Sequence, residues 1–155
     1  MKKIRSLVPA LSLLIASIFV VSCGKKGEEK VDANSHAEVT EGVITIVAAQ
    51  MTEMAAVKDA AGAEALAEKM PSWKAKMKGY LTAAKALPAP TAGEKAAFLG
   101  RMDQTKREVG PAMMAMMMSM SQNPEAKVIG EIIDGVRNDQ EMKDATDAIT
   151  AIYSK

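Results

Sequence analysis

Sulfur is the chemically distinctive element of this chain, which holds a single cysteine, Cys23, and 13 methionines. Six of these methionines crowd into one run, residues 113–120. A thiol can act as a nucleophile, and thioethers are soft ligands that select Cu(I). The only histidine, His36, falls in a charged segment with few apolar residues and is predicted to be a solvated linker residue.

The methionine run divides between two sides of one predicted helix. At about 100° per residue, one subset shares an apolar stripe with Phe98, while Met114 and Met118 lie about 100° to 140° round the helix from Met113. The whole apolar arc is about 200° wide, where a surface helix usually shows about 100°. The predicted stripe contains Phe98, Leu99, Met102, Val109, Met113, Met116, Met117 and Met120.

Three interpretations of the wide arc remain open, and the sequence favours the first. The helix packs against two neighbours, with flexible methionines filling both contacts. Alternatively, the run forms an adaptable, chaperone-like apolar cradle for a partner helix, a lipid or an unfolding protein. In the third interpretation Met114 and Met118 bind Cu(I), and Met117 or another helix supplies a third sulfur.

Histidine and cysteine are missing from the predicted helical domain, residues 39–155. Nucleophilic catalysis usually needs a Ser, Cys or Thr beside a base, and di-iron bundles need Glu-x-x-His pairs. The sequence has no haem, zinc or phosphate-loop motif. The remaining carboxylates are predicted to lie on a solvated face: Asp103, Glu108, Glu131, Asp134, Asp139 and Glu141. The sequence therefore predicts no enzyme, no catalytic residue and no tightly bound cofactor.

The cysteine stands at the end of a typical export signal. Met1-Lys-Lys-Ile-Arg5 is cationic, residues 7–21 are mostly apolar, and the small Ser22 precedes the cysteine. This pattern predicts a secretory signal peptide over residues 1–22, too short to span a bilayer comfortably. The final four residues, Val20-Val21-Ser22-Cys23, resemble the lipobox of bacterial lipoproteins.

The resemblance implies a covalent lipid on Cys23. In that class the thiol accepts a diacylglyceryl group, and cleavage leaves the cysteine as the first residue of the mature chain. Several acyl chains on one residue hold a protein at the bilayer, since each buried methylene contributes about 0.8 kcal/mol. Gly24 after the cysteine implies the periplasmic face of the outer membrane in a bacterium with two membranes. The expected address is thus extracytoplasmic and lipid-anchored.

The predicted mature chain is close to electrical neutrality. The signal removes three of the 20 basic residues and none of the 19 acidic ones, so the net charge becomes −2. A near-neutral chain gives no indication of nucleic-acid binding. Residues 23–38, with the lipidated cysteine, are charged and bear glycine, which predicts a flexible tether. Expected partners are the bilayer, through Cys23, and another protein or a second copy.

Residues 39–155 show helical periodicity throughout and predict an all-α, up-and-down bundle of about four helices. Trp73, Tyr80 and Phe98 are the expected core anchors. Thr91 and Glu94 match a capping box, and Asn123-Pro124 is a second helix start. In the last predicted helix the apolar residues before and after Asn138-Asp139 lie on faces offset by about 140°. One straight helix would not keep both faces against a single core, which predicts a break at that point. Close helix contact is the expected reason for Gly79, Gly100, Gly130 and Gly135.

Overall fold

The computed structural model describes residues 29–155, which are almost entirely helical. Within that part of the chain there are five helices and no strand, so the predicted all-α class is confirmed. The run Val43–Val47, which could also have formed a strand, is helical. The predicted signal peptide, Cys23 and the first residues of the predicted tether lie outside the described residues. The helices are α1 (His36–Ala56), α2 (Ala60–Ala86), α3 (Ala92–Met120), α4 (Ala126–Arg137) and α5 (Gln140–Ser154).

Helices α4 and α5, which only Asn138 and Asp139 separate, correspond to the broken last helix that the sequence predicts. Helix α1 packs on α2 and α3, α2 packs on α4 and α5, and α3 packs on α5. Two ion pairs join these helices. Glu53 on α1 pairs with Lys69 on α2, and Glu41 on α1 pairs with Arg101 on α3. The bundle of about four helices, with its last member interrupted, is therefore confirmed.

Local signals place most helix ends where the sequence predicts them. The Thr91 side chain accepts from the Glu94 amide, and the Glu94 carboxylate accepts from the Thr91 amide at 2.7 Å, which completes the capping box. Asp139 caps α5 by accepting from the amide of Met142 at 3.0 Å. Both α2 and α3 continue as helices through an internal proline, Pro71 and Pro111. These prolines therefore interrupt neither rod.

The α3–α4 connection also secures the neighbouring α1–α2 connection. The Asn123 amide group donates to the carbonyl of Lys58 at 2.8 Å, and its side-chain oxygen accepts from the amide of Glu125. The Glu125 carboxylate accepts from the amide of Ala60, at the first residue of α2. Helix α4 begins at Ala126, two residues after the predicted first position at Pro124. Asn123 acts here as a turn former that joins two loops.

The predicted anchors occupy different parts of the core. Phe98 is fully buried, Trp73 is buried, and Tyr80 is half-buried. The ring of Tyr153 stacks on Phe98 with a centroid separation of 4.3 Å and is itself fully buried. Aromatic pairs of this kind contribute about 0.5–1.5 kcal/mol beyond the area they bury. Tyr153, which the sequence placed only on an apolar face, is therefore a principal anchor.

His36 belongs to the core, so its prediction as a solvated linker residue is wrong. It is the first residue of α1 and is buried. Its Nε2 lies 2.8 Å from the carbonyl oxygen of Pro88, and its Nδ1 lies 2.9 Å from the hydroxyl of Tyr153. The helix begins three residues before the predicted boundary at Val39. The charged residues beside His36 in sequence gave no indication of its two polar partners, which lie far away in the chain.

The non-helical segment before α1 contacts the bundle. A Cβ atom at Gly79 would collide with the carbonyl oxygen of Glu29 and the side chain of Val31. Gly79 therefore permits the segment to lie directly on α2. The close approach is confirmed, but its partner is a non-helical segment and not another helix. At Gly100, Gly130 and Gly135 an added Cβ would meet nothing within 4 Å. The expectation of close helix contact is wrong for these three.

Candidate functional site

The methionine run of α3 is largely exposed, which overturns the favoured interpretation of two buried contacts. Met114, Met117 and Met118 expose 66%, 62% and 71% of their surface. Met116, in their midst, is buried at 5%. Flexible thioethers therefore do not fill a second helix contact at these three positions. We call Met114, Met117 and Met118 the methionine face.

The methionine face points away from the core. At 100° per residue, Met114 and Met118 lie about 160° from the buried Met116, on either side of the opposite pole. Met117 lies about 100° from it, and Leu99, also exposed at 42%, has the same bearing as Met117. The prediction that Met117 and Leu99 belong to the core stripe is thus wrong. The buried stripe is narrower and passes through Phe98, Thr105 and Met116.

Few neighbouring elements cover this part of α3. The helix packs on α1 and α5, while α4, which follows it in the chain, is not among its substantial contacts. Residues 109–124 contain no charged side chain, and the last turn of α3 has no basic residue. In that turn the hydroxyls of Ser119 and Ser121 donate to the carbonyls of Met116 and Met118. The face is therefore an uncharged, convex surface at the carboxyl end of a long helix.

The spacing of the methionine face allows its sulfur atoms to act together. Residues at i, i+3 and i+4 are neighbours on a helix, with Cβ atoms about 5–6 Å apart. Within residues 29–155 there is no group of three or more His, Cys, Asp and Glu side chains that could hold a metal ion. Both ring nitrogens of His36 already have partners inside the bundle. The thioethers of the methionine face are consequently the group of neighbouring side chains, within the described residues, that could bind a soft metal ion.

Four of the six carboxylates that could have suggested catalysis form ion pairs, and a fifth, Glu108, accepts a hydrogen bond from Gln104. Asp103 pairs with Arg107, and Asp134 pairs with Arg137 one turn away. Glu141 pairs with Lys78, whose hydrogen bond and charge lower the pKa of that carboxyl. These contacts join neighbouring turns or neighbouring helices. Among these carboxylates, Asp139 and Glu141 share one partner, Lys74, whose nitrogen lies 3.0 Å and 4.0 Å from their oxygens.

Asp139 has the most structured environment of these carboxylates. Desolvation by burial raises its pKa, but the hydrogen bond from the Met142 amide and the interaction with Lys74 outweigh that effect. The net result is a pKa below the ordinary value. Lys74 lies on α2 and Asp139 begins α5, with 3.0 Å between nitrogen and oxygen. The group therefore fixes the joint in the last rod.

A cleft opens where the segment before α1 lies across α1 and α2. It encloses about 470 Å³, and Trp73, Tyr80 and Val31 line it together with Gly42. Burial raises the pKa of the Tyr80 hydroxyl, and the negative charge of Glu29 adds to the effect. Two predicted anchors, Trp73 and Tyr80, thus meet at this cleft, whereas Phe98 stacks elsewhere on Tyr153.

No helix among residues 29–155 has both the length and the apolar character required to cross a membrane. Comparisons with protein-family models, with curated proteins and with solved structures give no match for this chain.

Proposed function

We propose that this chain is a lipid-anchored protein of the bacterial cell envelope, held at the membrane through Cys23 and facing away from the cytoplasm. The lipobox-like Val20-Val21-Ser22-Cys23, the cationic start and the apolar run support this address. The bundle works without catalysis, through contacts at its surface. The surface ion pairs of its carboxylates and the internal partners of His36 agree with that role.

The exposure of the methionine face is the observation that carries the proposed mode of action. Burying a methionine side chain contributes about 1.5–3 kcal/mol, so three exposed ones leave a large stabilisation unused in the isolated chain. Methionine-rich surfaces adapt to varied partners because the side chain is unbranched and flexible. The methionine face is therefore the working surface of the bundle, for another envelope protein, a second copy or a smaller ligand.

A chaperone-like cradle is the second form of this function. Val128, on α4, is a further large apolar side chain with high exposure, and it lies in the helix that follows the methionine face in the chain. A cradle needs concave walls, however, and the methionine face is convex. A fluorescent apolar probe tests the cradle, because it brightens in a concave apolar site and stays dark on a convex helix surface.

Cell fractionation tests the anchor. The full chain is expected in the membrane fraction, and Cys23→Ser, which removes the acceptor thiol, is expected to lose the lipid and leave that fraction. Ser17→Ala is the matched control, since it changes a residue within the predicted signal without touching the thiol. Equal membrane content of wild type and Cys23→Ser would rule the anchor out.

Cross-linking in intact cells tests the working surface. A photoreactive residue at position 114 or 118 is expected to form adducts that the same residue at position 107 does not form. Arg107 is also exposed on α3, but it lies outside the uncharged stretch. Equal adduct patterns at the three positions would show that the methionine face has no special role.

A further inference from the structure

We propose that Met114, Met117 and Met118 form a binding site for Cu(I), with three thioether sulfur atoms as ligands. The inference rests on the proposed role of the methionine face and names what that face binds. It does not depend on the lipid anchor, because a Cys23 thiol that carries no lipid can be alkylated before the metal is added.

The geometry permits one ion to meet three sulfur atoms. Met117 and Met118 stand at i+3 and i+4 from Met114 on a continuous stretch of α3, so the Cβ atom of Met114 is about 5–6 Å from each of theirs. Each has three rotatable bonds and is about two-thirds exposed. The sulfur atoms can therefore turn toward a common point above the helix without disturbing the core. Met116 lies on the buried side and is excluded from that point.

The ligand chemistry selects the ion. Thioethers are soft and neutral and favour Cu(I), whereas Zn(II), Ni(II) and Cu(II) prefer imidazole, thiolate or carboxylate ligands. No imidazole, thiolate or carboxylate stands within residues 109–122, which contain only Val, Gly, Pro, Ala, Met, Ser and Gln. The imidazole of His36 is buried and hydrogen-bonded at both nitrogens. A site built only from thioethers follows from this composition.

The electrostatic setting favours a cation. Helix α3 ends at Met120, so Met117 and Met118 lie in its last turn. The carboxyl end of a helix carries partial negative charge from its terminal carbonyls, and cations are stabilised there. The last turn contains no basic side chain that would already neutralise this charge, and residues 109–124 add no positive charge. A monovalent cation at the methionine face therefore meets no repulsion from residues 109–124.

The size of the face also favours an ion over a protein as its principal ligand. Specific protein interfaces use about 20–30 residues on each side. The methionine face offers three apolar residues on a convex surface. Three donors are few for a protein partner but suffice to ligate Cu(I).

The test is a Cu(I) titration of the full chain in detergent, under reducing and oxygen-free conditions, against a coloured Cu(I) chelator. The expected result is one equivalent of Cu(I) per chain, with at least a tenfold weaker affinity in Met114→Leu/Met117→Leu/Met118→Leu. Leucine keeps the apolar surface and removes the sulfur. Met116→Leu, which removes a buried thioether of the same helix, is the matched control and is expected to bind as the wild type does.

Two further readouts separate this site from other origins of binding. Thioethers carry no dissociable proton, so the affinity is expected to stay constant between pH 7 and pH 5, whereas a site with His or Cys weakens as its ligands are protonated. Zn(II) is expected not to compete. Unchanged Cu(I) affinity in the triple leucine variant, or no Cu(I) binding by the wild type, would overturn the proposal. Adducts from a photoreactive residue at position 118 that persist when Met114 and Met117 are leucine, together with unchanged Cu(I) affinity of the triple leucine variant, would overturn the copper site and leave only the apolar working surface.

Discussion

The imidazole Nδ1 of His36 lies 2.9 Å from the hydroxyl oxygen of Tyr153, which joins the first residue of α1 to the last turn of α5. Because the carbonyl of Pro88 only accepts, the Nε2 of His36 carries a proton and donates to it across 2.8 Å. In the neutral ring Nδ1 is then an acceptor for the Tyr153 hydroxyl. One side chain thus connects α1, the α2–α3 loop and α5.

Removing the Tyr153 hydroxyl is expected to weaken the fold. Tyr153→Phe keeps the ring stacked on Phe98 but leaves the Nδ1 of His36 without its donor in a buried site. An unsatisfied buried polar atom costs about 1–3 kcal/mol, and the free energy of unfolding in urea measures it. Tyr80→Phe is the control, since Tyr80 is half-buried beside a cleft. Equal losses in the two variants would contradict the connecting role of His36.

Replacing glycine by alanine is expected to stabilise the fold at some positions and to destabilise it at others. Gly100→Ala and Gly130→Ala add a methyl group to open space within helices and should stabilise the fold by about 0.5–1 kcal/mol, because alanine is the better helix former. Gly42→Ala should destabilise it by about 1–3 kcal/mol, since the new Cβ collides with the ring of Tyr80. Thermal unfolding of the three variants measures the difference. A stabilising Gly42→Ala would show that Tyr80 does not pack on α1 as described.

Asp139 is expected to contribute stability that depends on pH. Burial opposes the lowering of its pKa, but the Met142 amide and Lys74 bring the folded value below the ordinary 3.8. Its contribution is therefore fully present above the unfolded pKa and is lost as the pH falls through the lower folded value. Asp139→Ala should cost about 1 kcal/mol at pH 7, because it removes both the cap of α5 and the partner of Lys74.

Asp139→Asn separates the two roles of this side chain. Asparagine is a good N-cap but carries no charge, so this variant should lose less stability at pH 7 than Asp139→Ala. It should also flatten the decline in the free energy of unfolding below pH 4. If the free energy of unfolding of Asp139→Asn fell below pH 4 as steeply as that of the wild type, the titration of Asp139 would not be coupled to folding.

Peroxide is expected to distinguish the methionine face from the buried methionines. Hydrogen peroxide transfers one oxygen atom to a thioether, which gives the sulfoxide and water, and accessible sulfur reacts first. Met114, Met117 and Met118 should therefore oxidise before Met116 and Met77, which are buried. Peptide mapping by mass spectrometry gives the order. Oxidation of Met116 at the same rate as Met118 would contradict the orientation of α3.

Local sequence signals predicted the helices because each depends on a few neighbouring residues. The capping box at Thr91 and the cap at Asp139 form within one turn, and the offset between two apolar stripes placed the break in the last rod. Periodicity alone also identified Trp73 and Phe98 as buried. These features need no knowledge of which helices become neighbours.

Contacts between distant residues could not be predicted in the same way. The burial of His36 depends on Tyr153 and on the carbonyl of Pro88, neither of which its charged neighbours indicate. The exposure of Met117 depends on how many helices flank α3 near its end, and an apolar sequence looks the same beside one neighbour or two. Periodicity did place Met114 and Met118 outside the core stripe, and this was the part of the methionine face that the sequence could indicate.

The mass of the amino-terminal peptide, from protein extracted from its own membranes, tests the proposed anchor most directly. The expected result is a mature chain that begins at Cys23 and carries the mass of a diacylglyceryl group, with residues 1–22 removed. An unmodified thiol on a chain that still begins at Met1 would contradict it, since the bundle would then have neither the proposed anchor nor the proposed compartment.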